Sequence, residues 1–176
     1  HSEGHYDKDG LAASARITEA SGRLRDYPFS LQGKVQWRDD ILHIESLDLA
    51  MFEGKLEAQG QVSLSPALNW NGQLRASGVN PAGLFPDWPG KLNADLQSEG
   101  HYDNGELTVS ARIDEASGSL RDYPFTLTSV LQWRTDTLEV ESAQLTSGST
   151  RITANGRVGK TLDLQWSLDS QDLAEL

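Results

Sequence analysis

Along the second half of the chain apolar and polar residues alternate. Leu107, Val109, Ala111 and Ile113 are separated by Thr108, Ser110 and Arg112, and Phe125, Leu127, Leu131 and Trp133 alternate with polar Thr126, Thr128 and Gln132. A period of two is the period of a strand with one apolar and one wet face. Turn-forming residues interrupt the pattern at Asn104-Gly105, Arg121-Asp122-Tyr123-Pro124, Thr135-Asp136, Ser147-Gly148-Ser149 and Gly159-Lys160-Thr161, which are short enough to join antiparallel neighbours. The predicted strands lie near 92–103, 106–119, 124–134, 137–146, 149–159 and 162–170. One stretch reads as helical, Asn80-Pro81-Ala82-Gly83-Leu84-Phe85, with Asn80 as N-cap and Pro81 in the first helical position.

The pattern occurs twice. Residues 2–29 return as 98–125 without a gap, Gln36-Trp37-Arg38 as Gln132-Trp133-Arg134, Glu45-Ser46 as Glu141-Ser142, and Trp70 as Trp166, all at the offset 98 − 2 = 96. The repeat divides the chain into a first unit, 2–97, with a short helical connector near 80–90, and a second, 98–176. The first strand of the first unit is expected to be cut short, and the second unit stops where its own connector would begin, as in a piece of a longer array.

A one-faced meander must hide its apolar face by packing on a second sheet, by closing as a barrel, or by curling around something else. A closed sandwich has no natural way to accept another copy at its end, whereas a meander lengthens by about 4.8 Å per strand. Repetition therefore predicts an all-β fold. It is an elongated antiparallel meander, one continuous sheet curved into a repeating β-groove with a hydrophobic interior. Its lining is expected to include Leu42, Ile44, Leu56, Val62, Leu68 and Trp70 in the first unit, and Leu138, Val140, Ile152, Val158, Leu164 and Trp166 in the second. A pair of dry β-sandwiches remains the alternative, because alternation does not distinguish a core from a groove.

Composition narrows the partners. Against 15 Lys+Arg stand 26 Asp+Glu, a formal charge of −11, with no basic block, so a nucleic-acid partner is not expected. Cysteine is absent, which removes disulfides and thiolate metal sites. No apolar run of about 18 residues is present to span a membrane.

Candidate chemistry is sparse. His5 and Asp7, and again His101 and Asp103, stand two apart and share a strand face, but a metal site needs three or four converging ligands. Adjacent carboxylates such as Asp114-Glu115 and Asp39-Asp40 are expected to point to opposite faces and not to act as an acid–base pair. No nucleophile-elbow, zinc-protease or phosphate-loop motif occurs, so neither an enzyme, a cofactor nor a metal is predicted. Trp37, Trp133, Trp70 and Trp166 have the apolar parity of their strands, and Trp88 is expected to pin the connector.

Leu68-Asn69-Trp70-Asn71-Gly72-Gln73-Leu74, Gly78-Val79-Asn80 and above all Phe85-Pro86-Asp87-Trp88-Pro89-Gly90-Lys91-Leu92-Asn93 resemble the middle region of the TamB family. These are AsmA-like proteins, large periplasmic subunits of the translocation and assembly module of Gram-negative bacteria. The resemblance implies a β-taco fold whose hydrophobic interior runs between the two membranes. It also implies a role in moving phospholipid to the outer membrane and in assembling outer-membrane proteins. The inner-membrane anchor and the attachment to the barrel partner TamA would lie in regions absent here.

The function expected from these readings is a segment of a periplasmic bridge that shields phospholipid acyl chains in its groove. The alternatives are a scaffold that receives outer-membrane strands by β-augmentation, and a dry sandwich spacer.

Overall fold

A computed structural model describes residues 2–7, 10–24 and 27–171, with side chains described from residue 13 onward. Twelve strands follow in chain order: β1 Ser2–Asp7, β2 Gly10–Leu24, β3 Tyr27–Arg38, β4 Ile41–Met51, β5 Gly54–Ser63, β6 Leu68–Val79, β7 Gly90–Asp103, β8 Glu106–Leu120, β9 Tyr123–Arg134, β10 Thr137–Ser147, β11 Thr150–Val158 and β12 Leu162–Ser170. They form one antiparallel sheet in the order of the chain, each strand bonded to the one before and the one after. The sheet is open, with β1 and β12 at its edges. β6 pairs with β7, so the ladder crosses the boundary between the repeat units without interruption. Among the described residues no second sheet covers this one, and the sandwich alternative has no counterpart in the fold.

The turns explain the meander. Asp39-Asp40, Phe52-Glu53, Asn104-Gly105 and Arg121-Asp122 each place two successive residues in the left-handed region, with φ between 49° and 88°. Two such residues make the tight turn whose twist matches that of the strands it joins. Asn-Gly is the customary sequence for it; Phe52-Glu53 and Arg121-Asp122 are not, and here the paired strands impose the turn on the residues.

Every even-numbered strand from β2 to β10 carries an irregularity in pairing, at residues 18–19, 45–46, 77–78, 114–115 and 141–142. The odd strands run straight through. Two of these bulges repeat at the 96-residue offset, 18–19 with 114–115 and 45–46 with 141–142. A bulge bends its strand and sharpens the local twist, so alternate strands carry the curvature of the sheet. It also lets Ile44 and Leu47, three apart, share one face, because Ile44 pairs with Gly60 and Leu47 with Ala58.

The 3-10 turn Pro81–Gly83 occupies the predicted helical site. Asn80 caps it by accepting from the Ala82 N–H at 3.1 Å, and the same side-chain oxygen accepts from the Gly90 N–H at 3.3 Å. The connector is held from both sides. Asn80 N–H donates to the Phe52 carbonyl at 2.8 Å, while the Arg121 backbone N–H donates to Pro89 O at 2.8 Å and its Nε to Asp87 O at 2.6 Å. The Arg121 guanidinium stands 4.6 Å from the centre of the Trp88 ring. Trp88 thus anchors the connector onto the β8–β9 turn.

Candidate functional site: the apolar face

Residues paired across an antiparallel ladder project to the same side, so the register assigns every side chain to a face. Starting at Gly4, one continuous row crosses all twelve strands: Ala13, Trp37, Leu42, Val62, Trp70, Gly100, Val109, Trp133, Leu138, Val158 and Leu162. Parallel to it run further rows, one of them through Leu31, Leu49, Leu56, Ala76, Ala94, Ala116, Leu127, Leu145, Ile152 and Leu168. All twelve residues named from the sequence as groove lining fall on this face. Following the register through the described strands places no Asp, Glu, Lys or Arg there.

The charges lie opposite. Lys55 pairs with Asp48 at 2.8 Å and Glu57 at 2.6 Å, Arg75 with Asp95 at 2.7 Å, and Arg157 with Glu139 at 3.1 Å. His101 is on that side too, its Nδ1 donating to Asn69 Oδ1 at 2.6 Å. No group of three His, Asp or Glu able to hold a metal occurs among the described residues. The side chains of His5 and Asp7 lie outside the described residues. Asp114 and Glu115 correct an expectation: they form the β8 bulge, and both face the polar side, Asp114 accepting from Gln97 Nε2 at 2.8 Å and Glu115 paired with Asp95.

The apolar face is only partly covered. Among the described residues no side chain is fully buried, and the buried apolar residues are two alanines, Ala76 and Ala116. Accessible surface totals 12163 Å² for 19.3 kDa, against roughly 8,500 Å² for a compact chain of that mass. Leu42, Ile44, Leu56, Val62, Leu68, Trp70, Leu138, Val140, Ile152 and Leu164 are half-buried by their neighbours in the rows. Val158 and Trp166, near the β12 edge, are exposed, Trp166 to 69%.

Small residues set the floor. The Trp70 indole lies over Gly100, where an added Cβ would fall 2.0 Å from Cζ2, and its Nε1 donates to Ser98 Oγ at 3.3 Å. Beside it is an apolar depression of about 200 Å³, bounded by Ile44, Val62, Trp70, Leu74 and Leu96 over Gly60 and Gly72.

Two features of the face departed from the alternation. Leu47, Leu49 and Leu145 belong to it although their parity is opposite to that of Leu42, Ile44 and Val140, because the bulges intervene. The repeated Glu45-Ser46 and Glu141-Ser142 mark both bulges and could have revealed them. Trp166, second copy of Trp70, is not its structural equivalent: Trp70 pairs with Val62, but Val158, the copy of Val62, pairs with Leu162. The second hairpin is four residues shorter, and Trp166 sits two rows farther along. Since four is even, it keeps its face.

The fold and this face define an open, one-sided β-meander, polar on one face and apolar on the other. The family model described as TamB, N-terminal domain, matches residues 39–176, and the chain belongs to the TamB family. The match names the N-terminal domain, where the resemblance had pointed to the middle region. Residues 2–38, outside it, repeat residues 98–134, inside it. No solved structure matches the chain. The TamB family consists of bacterial envelope proteins that work with TamA in a translocation and assembly module, a transport and assembly class and not an enzyme class.

Proposed function

We propose that this chain is a segment of a periplasm-spanning, inner-membrane-anchored bridge that carries phospholipid acyl chains along its apolar face toward the outer membrane and so supports outer-membrane protein assembly. The observation that carries this reading is the set of uncharged rows crossing twelve strands with no layer over them among the described residues. Exposing a 16-carbon acyl chain to water costs roughly 13 kcal/mol, at about 0.8 per CH₂. A continuous apolar trough removes most of that barrier. Evenly repeated aliphatic residues offer many equivalent positions and no deep minimum, which suits passage better than retention. The lining consists of the row that holds Leu42, Val62, Leu138 and Val158 together with the rows parallel to it that hold Ile44, Leu56 and Ile152, and the partners in the bilayers and TamA are reached through other regions of the protein.

The test is a charge placed in the trough. Val140→Arg and Val158→Asp are expected to leave circular-dichroism melting within a few degrees of wild type, because on an open face the new charge reaches water. Phospholipid detected by native mass spectrometry on the purified segment, and uptake of a fluorescent fatty acid, should both fall, since passing chains must desolvate the charge at a cost of several kcal/mol. Folded variants that bind lipid and probe like wild type would refute the reading. Wild-type protein that takes up neither would refute it as well.

A further inference from the structure

Side-chain size alternates along the strands in the middle of the apolar face. On β6 that face carries Trp70, Gly72, Leu74 and Ala76, which is bulky, small, bulky, small. On β8 the same four rows hold Val109, Ala111, Ile113 and Ala116, the last kept on the face by the bulge at 114–115. Between them β7 contributes Gly100, Ser98, Leu96 and Ala94. The Trp70 ring lies over Gly100, so β7 presents the same profile. Leu74 is 37% exposed, a knob with nothing over it among the described residues.

Such a profile is its own complement, because the order bulky, small, bulky, small reverses to small, bulky, small, bulky. A two-fold axis lying across the strands, between the row of Gly72 and the row of Leu74, lays each strand antiparallel over its own copy. Gly72 then meets Leu74, Ser98 meets Leu96, Ala111 meets Ile113 and Trp70 meets Ala76. Every one of these contacts sets a bulky side chain over a small one, as two sheets need in order to interdigitate about 10 Å apart. These rows carry no charge to desolvate. Covering them strips no partner from the indoles, since Trp70 Nε1 already donates to Ser98 Oγ at 3.3 Å and Trp133 Nε1 to the Thr135 carbonyl at 2.8 Å.

The area is sufficient. The chain exposes about 3,700 Å² more than a compact chain of its mass would. Four rows on the six strands β5 to β10 cover about 800 Å² of sheet, at about 4.8 Å per strand and 6.8 Å per row. A stable interface takes about 800 Å² from each partner. We propose that the middle of the apolar face docks a second copy of this chain, forming a two-sheet dimer that is the closed form of the face. The pairing stands on size, charge and area and does not depend on the lipid reading; its displacement by acyl chains rests on that reading.

The experiment is sedimentation equilibrium of the delipidated whole chain over a wide range of concentration. The mass should rise from 19.3 kDa to twice that value and stop. Ala111→Leu puts bulk opposite Ile113 and should weaken the dimer at least tenfold, and adding Ile113→Ala should restore most of it. Because the chain has no cysteine, Leu74→Cys offers one thiol beside the axis, and a short bismaleimide should join two copies through it. Glu99→Cys, on the polar face, should not cross-link. This contrast reads the geometry even where a size variant fails to fold. A chain that stays at 19.3 kDa throughout overturns the proposal, whatever it does with lipid. So does a mass that climbs past two copies, equal cross-linking by Glu99→Cys, or a folded double variant that fails to restore the dimer. A saturating fluorescent fatty acid should return the dimer to monomer. A dimer that binds the probe and keeps its mass would show that the copies meet elsewhere and overturn the proposal. One that excludes the probe even at high dilution supports the pairing and counts against the lipid reading alone.

Discussion

Ala20 and Ala116 occupy the same place in the repeated phrase Glu-Ala-Ser-Gly, yet one is exposed and the other nearly sealed. Both belong to bulged strands with their side chains on the same face, so local sequence determines the strand, its bulge and its direction. Burial is decided by the neighbour. β7 covers fourteen residues and reaches the whole of β8, while β1 has six residues and covers the start of β2. In a stacked sheet each strand is held by nearest-neighbour interfaces, and two nearly identical strands differ in stability by what lies beside them.

The two glycines test this most sharply. Gly118→Ala must move the Lys91 carbonyl or distort a backbone already at φ +146°, and the expected loss is about 3 kcal/mol. Gly22→Ala meets only a side chain that can turn, and should cost under about 1 kcal/mol. Urea unfolding of both variants checks the pair. Equal losses would mean that the environments of β2 and β8 are alike in solution.

A smaller effect should follow from loosening the connector. Arg121→Ala removes the Nε bond to Asp87 O and the contact with Trp88, with an expected cost of about 1–2 kcal/mol. Trp88→Ala should overlap with it, giving a coupling of about 1 kcal/mol in a double-mutant cycle. Both variants should quicken amide exchange at 116–120, making β8 resemble β2. If exchange there is unchanged, the ladder alone holds β7 and the connector is incidental.

Much of the fold could be read from the residues. The strand predicted near 162–170 is Leu162–Ser170, and that near 106–119 is Glu106–Leu120, because a period of two bounded by turn residues leaves little freedom. The twelve lining candidates share one face for the same reason. What alternation could not convey was any break in its own period: Leu47 and Leu145 became visible only through the bulges at 45–46 and 141–142. Nor could the repeat convey register. The shorter β11–β12 hairpin displaced Trp166 by two rows while leaving its face intact. Whether a second sheet covers the first was also illegible, since Val62 or Val158 reads identically in a sandwich and on an open sheet.

The smallest expected difference lies on the polar face, where the units diverge in charge. In the first unit Lys55 is held by Asp48 and Glu57, and Asp48 pairs with Glu57 across the ladder. At the 96-residue offset these three become Arg151, Gln144 and Thr153, a row joined instead by a Thr153–Ser167 hydroxyl contact at 2.7 Å. The hydrogen bond to Asp48, then that to Glu57, raises the Lys55 pKa above its ordinary value, partly opposed by desolvation. A lysine whose folded value is raised stabilises the fold fully below its unfolded value, and that contribution is lost as pH rises through the folded one. The stability difference between wild type and Asp48→Asn/Glu57→Gln should therefore be constant through neutral pH and shrink only above the ordinary lysine range. Because the Lys55 side chain and its partners are exposed to solvent, salt should diminish the difference at any pH. Altering the second unit's row by Gln144→Ala should leave the pH dependence as in wild type. Urea midpoints measured on either side of the lysine range, at low and high salt, decide it. A difference that persists unchanged at high pH would show that the carboxylates act on the ladder through something other than Lys55.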